Sequence, residues 1–162
     1  MRQAWELDDA AKAERLIRNL AQRWRSMLPV IVANSEVSSV RDSDRIIGLL
    51  DSKTVKAEKG ERMEKHLLIT RFDSARAAKG EMLAIEDVLE ILSVPLLGII
   101  PESEAVLRAS KLGTPVTICS SDSAPARAYI AAARRLAGED IAMTIPTDKR
   151  GFFNKLFGRR AA

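Results

Sequence analysis

The 162-residue chain predicts an α/β fold, a parallel sheet wrapped by helices with an amphipathic helix added at its C-terminus. Three observations carry this. Apolar, β-branched runs at 30–33, 66–70 and 94–100 are separated by helical stretches of ten or more residues, the alternation that builds parallel sheets. Turn formers and helix stops (Pro29, Gly80, Pro101, Gly113, Gly138) fall at the boundaries between them. Residues 149–160, KRGFFNKLFGRR, place their rings and their charges on opposite sides of a helix.

Residues 8–26 read as a helix, with Asp8 or Asp9 as cap and Leu16, Leu20, Trp24 and Met27 recurring at three- and four-residue spacing. Pro29 ends it, and 30–33, short and β-branched, reads as a buried strand. Through 34–45 (NSEVSSVRDSDR) this strand passes by a polar turn into a helix. Ser38 or Ser39 is its cap, and Val40, Ile47 and Leu50 form its inner face. Such a strand-to-helix turn sets polar groups at the carboxyl edge of a sheet, where α/β proteins keep their sites. Asp42 and Asp44 sit near the helix start, where the macrodipole favours acids. On pattern alone the stretch is first of all a well-capped helix.

Residues 51–65 are charged and read as a solvated, partly helical connection. Strand 66–70 ends at Arg71-Phe-Asp. Gly80 precedes a helix with Leu83, Val88, Leu89 and Leu92 on its inner face. Strand 94–100 is closed by Pro101-Glu-Ser-Glu, which opens a short helix through Arg108. Gly113 turns the chain into a short strand at 115–119. Ser123 caps, and Pro125 suits the first turn of, a helix over 124–136 that Gly138 ends. Residues 144–148 form a linker.

The tail is the most distinctive stretch. At about 100° per residue, Phe152, Phe153, Leu156 and Phe157 fall within an arc of about 140°, with Asn154, Lys155 and Gly158 opposite. Lys149, Arg150, Lys155, Arg159 and Arg160 give residues 149–162 a charge of +5 with no acid, against +4 for the whole chain, so residues 1–148 carry −1. The basic pI of about 9.5 belongs to the tail. A nearly neutral body argues against nucleic acid as a partner, since that function needs a basic face of its own. Rings on one face and cations on the other suit an anionic membrane surface, at about 1 kcal/mol per Lys or Arg. The alternative is a helix docked on the protein's own core, which does not need five basic residues.

Composition narrows the remaining classes. Apolar content of 46% and charged content of 30% are those of a globular domain. No apolar run approaches the roughly 20 residues that span a bilayer, and MRQAWE lacks the apolar core of a signal peptide. The lone Cys119 cannot form an internal disulfide and reads as a small strand residue of a reducing cytoplasm. The lone His66 has no neighbouring Cys or His for a metal site and reads as structural.

Several of these stretches together resemble a known family. Residues 34–45 (NSEVSSVRDSDR), 67–71 (LLITR), 80–92 (GEMLAIEDVLEIL), 95–109 (PLLGIIPESEAVLRA) and the tail are similar, in order, to the C-terminal part of the MinD family. These are septum-site-determining ATPases of the deviant-Walker P-loop class. The resemblance runs from about residue 29 to the end. It implies a cytoplasmic ATPase, peripheral on the inner face of the bacterial inner membrane, that forms a homodimer on ATP and Mg, recruits the division inhibitor MinC and responds to MinE. Carried over residue by residue, Thr70, Arg71, Pro101 and Glu102 border the adenine. Ser38, Asp42 and Asp44 match the dimer and MinC/MinE-facing surface. Phe152, Phe153, Lys155, Leu156, Phe157, Arg159 and Arg160 match the membrane-targeting helix. Ser35 replaces the proline usual in that family.

The departures matter as much. A P-loop requires a glycine-rich turn followed by Lys and Ser or Thr, and no Gly-Lys-Ser or Gly-Lys-Thr occurs in these 162 residues. Lys59-Gly60-Glu61 and Lys79-Gly80-Glu81 have the wrong order. The expectation is a partial P-loop NTPase-like sheet lacking the P-loop half, binding no cofactor tightly and hydrolysing no ATP. Its organisation is a leader over 1–28 unrelated to the family, an α/β part over 29–143, a linker over 144–148 and the tail over 149–162. A truncated gene product, a nucleotide-independent adaptor for MinC or MinE, and a non-functional fragment all fit that organisation. The strand at 30–33 loses its family neighbour, so its edge is expected to be open unless the helix at 8–26, with Trp5, Leu16, Leu20 and Trp24, covers it.

Overall fold

A computed structural model describes residues 28–53, 60 and 63–146. The helix expected at 8–26 and the whole tail from 149 lie outside the described residues. Three strands, β1 (Val30–Asn34), β2 (His66–Phe72) and β3 (Leu96–Pro101), form a parallel sheet in the order β1-β2-β3. Helix α1 (Val37–Lys53) follows β1; α2 (Ser74–Ala78) and α3 (Ile85–Leu92) lie between β2 and β3. After β3 come α4 (Glu104–Leu112), α5 (Val116–Cys119) and α6 (Ala124–Leu136). The parallel α/β architecture read from the sequence is the one observed.

The core lies on one face of the sheet. Alternation in β1 turns Ile31 and Ala33 inward, and Leu67, Ile69 and Ile99 continue that surface across β2 and β3. Val40 and Ile47 of α1 and Ile85, Val88 and Leu92 of α3 close over it. Leu67, Ile69 and Val88 have no exposed surface, and each such side chain contributes about 1.5–3 kcal/mol. On the other face α6 covers β3, which is why Leu97, Gly98, Ile99 and Ile100 are buried in succession. Gly98 makes that contact possible, because a Cβ there would lie 3.0 Å from Ala132 Cβ and 3.3 Å from Leu68 Cδ1. Over β1 that second face is open, and Val32 is 59% exposed. Among the described residues β1 pairs with β2 alone; the helix expected to cover its outer edge, 8–26, lies outside them.

Several local expectations are corrected. The strand expected at 115–119 is the helical turn α5: Ile118 and Cys119 donate to Pro115 O at 2.9 and 3.1 Å, and Ser120 to Val116 O at 3.0 Å. Strand propensity depends on context, and here the run packs against α4 and α6 rather than along a strand. Cys119 is consequently exposed. Ser38 and Ser39 do not cap α1, which begins at Val37. Instead Asn34 makes the turn, its Oδ1 accepting from Glu36 N at 3.0 Å and its N–H donating to Ser39 Oγ at 3.1 Å. The first turn of α1 holds no acid; Asp42 and Asp44 lie beyond it, outside the reach of the helix-end dipole. Helix α2, capped by Asp73, was not anticipated. Ser123 accepts from Ala126 N at 3.4 Å, with Pro125 in the first turn of α6, as the motif indicates.

Candidate functional site

All three strands point the same way, so Asn34, Phe72 and Pro101 end at one edge of the sheet. There the register of β2 against β3 slips. Ile69 pairs with Ile99 and Phe72 with Pro101, leaving Thr70 and Arg71 opposite Ile100. This two-against-one bulge carries Arg71 at φ 54°, a left-handed backbone that a side-chain-bearing residue rarely adopts. It re-aims the Arg71 side chain across the strand ends, where Nη2 meets Glu102 Oε1 at 3.3 Å. Beneath them Glu102 N donates to Phe72 O at 2.9 Å, and Thr70 Oγ1 donates to Ala33 O at 3.3 Å.

The four residues assigned from the family resemblance to the adenine border therefore meet at one place. Thr70, Arg71, Pro101 and Glu102 line a groove of about 930 Å³ between the strand ends and α4. Two caps shape it. Asp73 accepts from Ala75 N and Arg76 N at 2.8 and 3.2 Å to start α2, and Ser103 accepts from Ala105 N at 3.2 Å to start α4. Asp73 and Glu104 also line the groove, and Tyr129 of α6 supplies an aromatic wall. Asp73 carries a readable signal, an acid directly after a strand and before an alanine-rich turn. Tyr129 carries none, since only the packing of α6 brings it near residues so distant in sequence. Behind the groove Arg76 bridges Glu36 Oε1 at 3.3 Å and Glu81 Oε2 at 3.7 Å, tying α2 to the end of β1.

Ser38, Asp42 and Asp44 are all exposed on α1. They do not form one patch. At about 100° per residue Ser38 and Asp42 stand about 40° apart on one stripe, while Asp44 lies about 160° round the helix from Asp42. The membrane-assigned residues Phe152, Phe153, Lys155, Leu156, Phe157, Arg159 and Arg160 lie outside the described residues. No helix among the described residues is long and apolar enough to cross a membrane, and no cluster of three His, Cys, Asp or Glu suited to a metal ion occurs among them.

Comparison with known proteins decides the kinship. The septum site-determining protein MinD of Neisseria meningitidis is 51% identical over 130 residues, covering 80% of this chain and 48% of that protein. This chain is similar to a C-terminal portion of MinD. MinD of Escherichia coli K12 is 49% identical over 131 residues, with the same coverage. Among solved structures, the MinC:MinD cell division protein complex of Aquifex aeolicus matches with a TM-score of 0.64 at 34% identity, over 74% of this chain and 46% of that one. The chain thus spans about half the length of the curated relatives it matches. No family model matches it.

Proposed function

We propose that the chain acts in bacterial division-site selection as a MinD-like module that engages MinC at the membrane surface. The observation carrying this is its 51% identity to a septum site-determining protein over 80% of its length; the solved MinC:MinD complex among its structural neighbours supports MinC as the partner. In this reading the Ser38–Asp42 stripe of α1 meets MinC or MinE, and the +5 tail holds the protein on anionic lipid. The tail binds weakly as a single copy and with avidity in a homodimer.

The groove at the strand ends suits an adenine base and its ribose better than a magnesium triphosphate. One cation, Arg71, faces Asp73, Glu102 and Glu104 among the lining residues, and a polyphosphate needs backbone donors and a lysine that the 162 residues do not supply as a P-loop. That acid-rich lining favours a second reading, an adaptor that binds MinC or MinE without nucleotide control. Under either reading the purified chain does not turn over ATP, and sustained Mg²⁺-dependent hydrolysis would overturn this.

Binding decides the function. MinC co-sedimenting with the chain and anionic vesicles, and lost when Asp42→Arg reverses the α1 stripe, is the expected result. No MinC retention by the folded wild-type chain, at any nucleotide condition, rejects the proposal. Raising salt weakens the vesicle step; equal binding to neutral vesicles would remove the role given to the tail's charge.

A further inference from the structure

Arg135, in the last turn of α6, is the most heavily engaged cation among the described residues. Its guanidinium donates from Nη1 to Leu97 O of β3 at 2.9 Å, from Nε to Ile141 O at 2.7 Å and from Nη2 to Ala142 O at 2.7 Å. All three acceptors are backbone carbonyls, so the contact specifies path and ignores side-chain identity. One belongs to Leu97 of β3, where the register against β2 shifts; the other two belong to the segment that leads towards the tail. The planar fork of Arg places three donors at fixed angles, which suits it to hold two backbones in register.

The segment continues in a groove of about 340 Å³ lined by Met143 and Pro146 on its own side and by Ile99, Pro101, Ala124 and Ala131 on the other. It therefore returns along α6 towards the carboxyl end of β3. The lengths agree: four extended residues from Ala142 to Pro146 cover about 13 Å, as do the four from Leu97 to Pro101. A chain pinned at Leu97 leaves the domain level with Pro101, at the sheet end that holds Thr70, Arg71 and Glu102.

We infer that Arg135 is a positioning residue that fixes where the C-terminal tail leaves the domain, at the same sheet end as the Thr70–Arg71–Pro101–Glu102 groove. The inference deepens the reading of the tail and groove as functional elements and rests on it for its meaning in the cell. Its geometry is tested without lipid or partner. The native Cys119 is the only cysteine of the chain and is exposed, so Thr144→Cys supplies the second position for a pair of spin labels. With Arg135 present the label distance is expected to be sharply distributed. With Arg135→Gln the chain from 136 to 144 is freed and the distribution spreads towards the breadth of an eight-residue coil, on the order of 15 Å. Arg135→Lys keeps charge and the packed stem and loses the fork; it is expected to broaden the distribution as well, which a purely electrostatic role would not do. Hydrogen exchange in β2 confirms that each variant keeps its sheet, and the Lys variant carries the test if the Gln variant does not. A distribution as narrow in the folded variant as in the parent overturns the assignment.

Discussion

Arg71 concentrates more of the candidate site's character than any other residue. Its left-handed backbone stores strain, typically about 1–3 kcal/mol for a residue with a side chain, and the return is a guanidinium aimed at Glu102 across the strand ends. Arg71→Gly should relieve the backbone and lose the pair. Because that pair is largely solvent-exposed and worth little, the expected result is a gain of about 0.5–1 kcal/mol in chemical denaturation. Under the proposed adenine reading of the groove, adenosine affinity should fall at the same time; a protein that became less stable would show that φ is not strained. The sequence named this residue through the family resemblance but gave no sign of the bulge, since LLITRF reads as an uninterrupted strand. Ser35 is equally silent: it is wholly buried and its Oγ has no hydrogen-bond partner among the described residues. Only the packed turn, where Leu83 N donates to Ser35 O at 2.9 Å, reveals that burial.

At the scale of elements, α6 packs closely on β3 at Gly98. Gly98→Ala sets a methyl 3.0 Å from Ala132 Cβ, backbone-borne on a helix that cannot swing away. The expected cost is about 1–3 kcal/mol, read as a lower denaturation midpoint, with partial recovery in Gly98→Ala/Ala132→Gly. The end of α6 offers a milder probe. The hydrogen bond from Arg134 Nε to Glu139 Oε2, 2.8 Å, holds the Glu139 carboxyl below its usual pKa. A depressed carboxylate stabilises the fold above its unfolded value, about 4.3, and that contribution disappears as pH falls through the lower folded value. Glu139→Gln should therefore leave the neutral-pH midpoint nearly unchanged and flatten the loss of stability below about pH 4, because an exposed pair is strongly screened. Helix α6 was also the element best written into the sequence, since Ser123, Pro125 and Gly138 mark its ends by chemistry that acts locally. Helix α5 was not. Val-Thr-Ile-Cys has strand propensity, and what overrides it is its packing between α4 and α6, a fact that no local window contains.

For the molecule as a whole, the two borders of the sheet are treated differently. The guanidinium of Arg135 and the segment it holds occupy the outside of β3, whereas β1 presents an open edge among the described residues, with Val32 exposed at its centre. Val32→Lys places a charge on the open face of that edge strand, should change the denaturation midpoint by less than about 0.5 kcal/mol, and should suppress concentration-dependent self-association measured by light scattering. Association that persists unchanged would place the contact elsewhere. The asymmetry also sets how far such association runs. A sheet with two adhesive borders can add copies without limit, whereas a sheet with one can only be met by the same border of another copy, across a two-fold axis. Joined in that way through their β1 edges, two copies contribute three described strands each to one sheet.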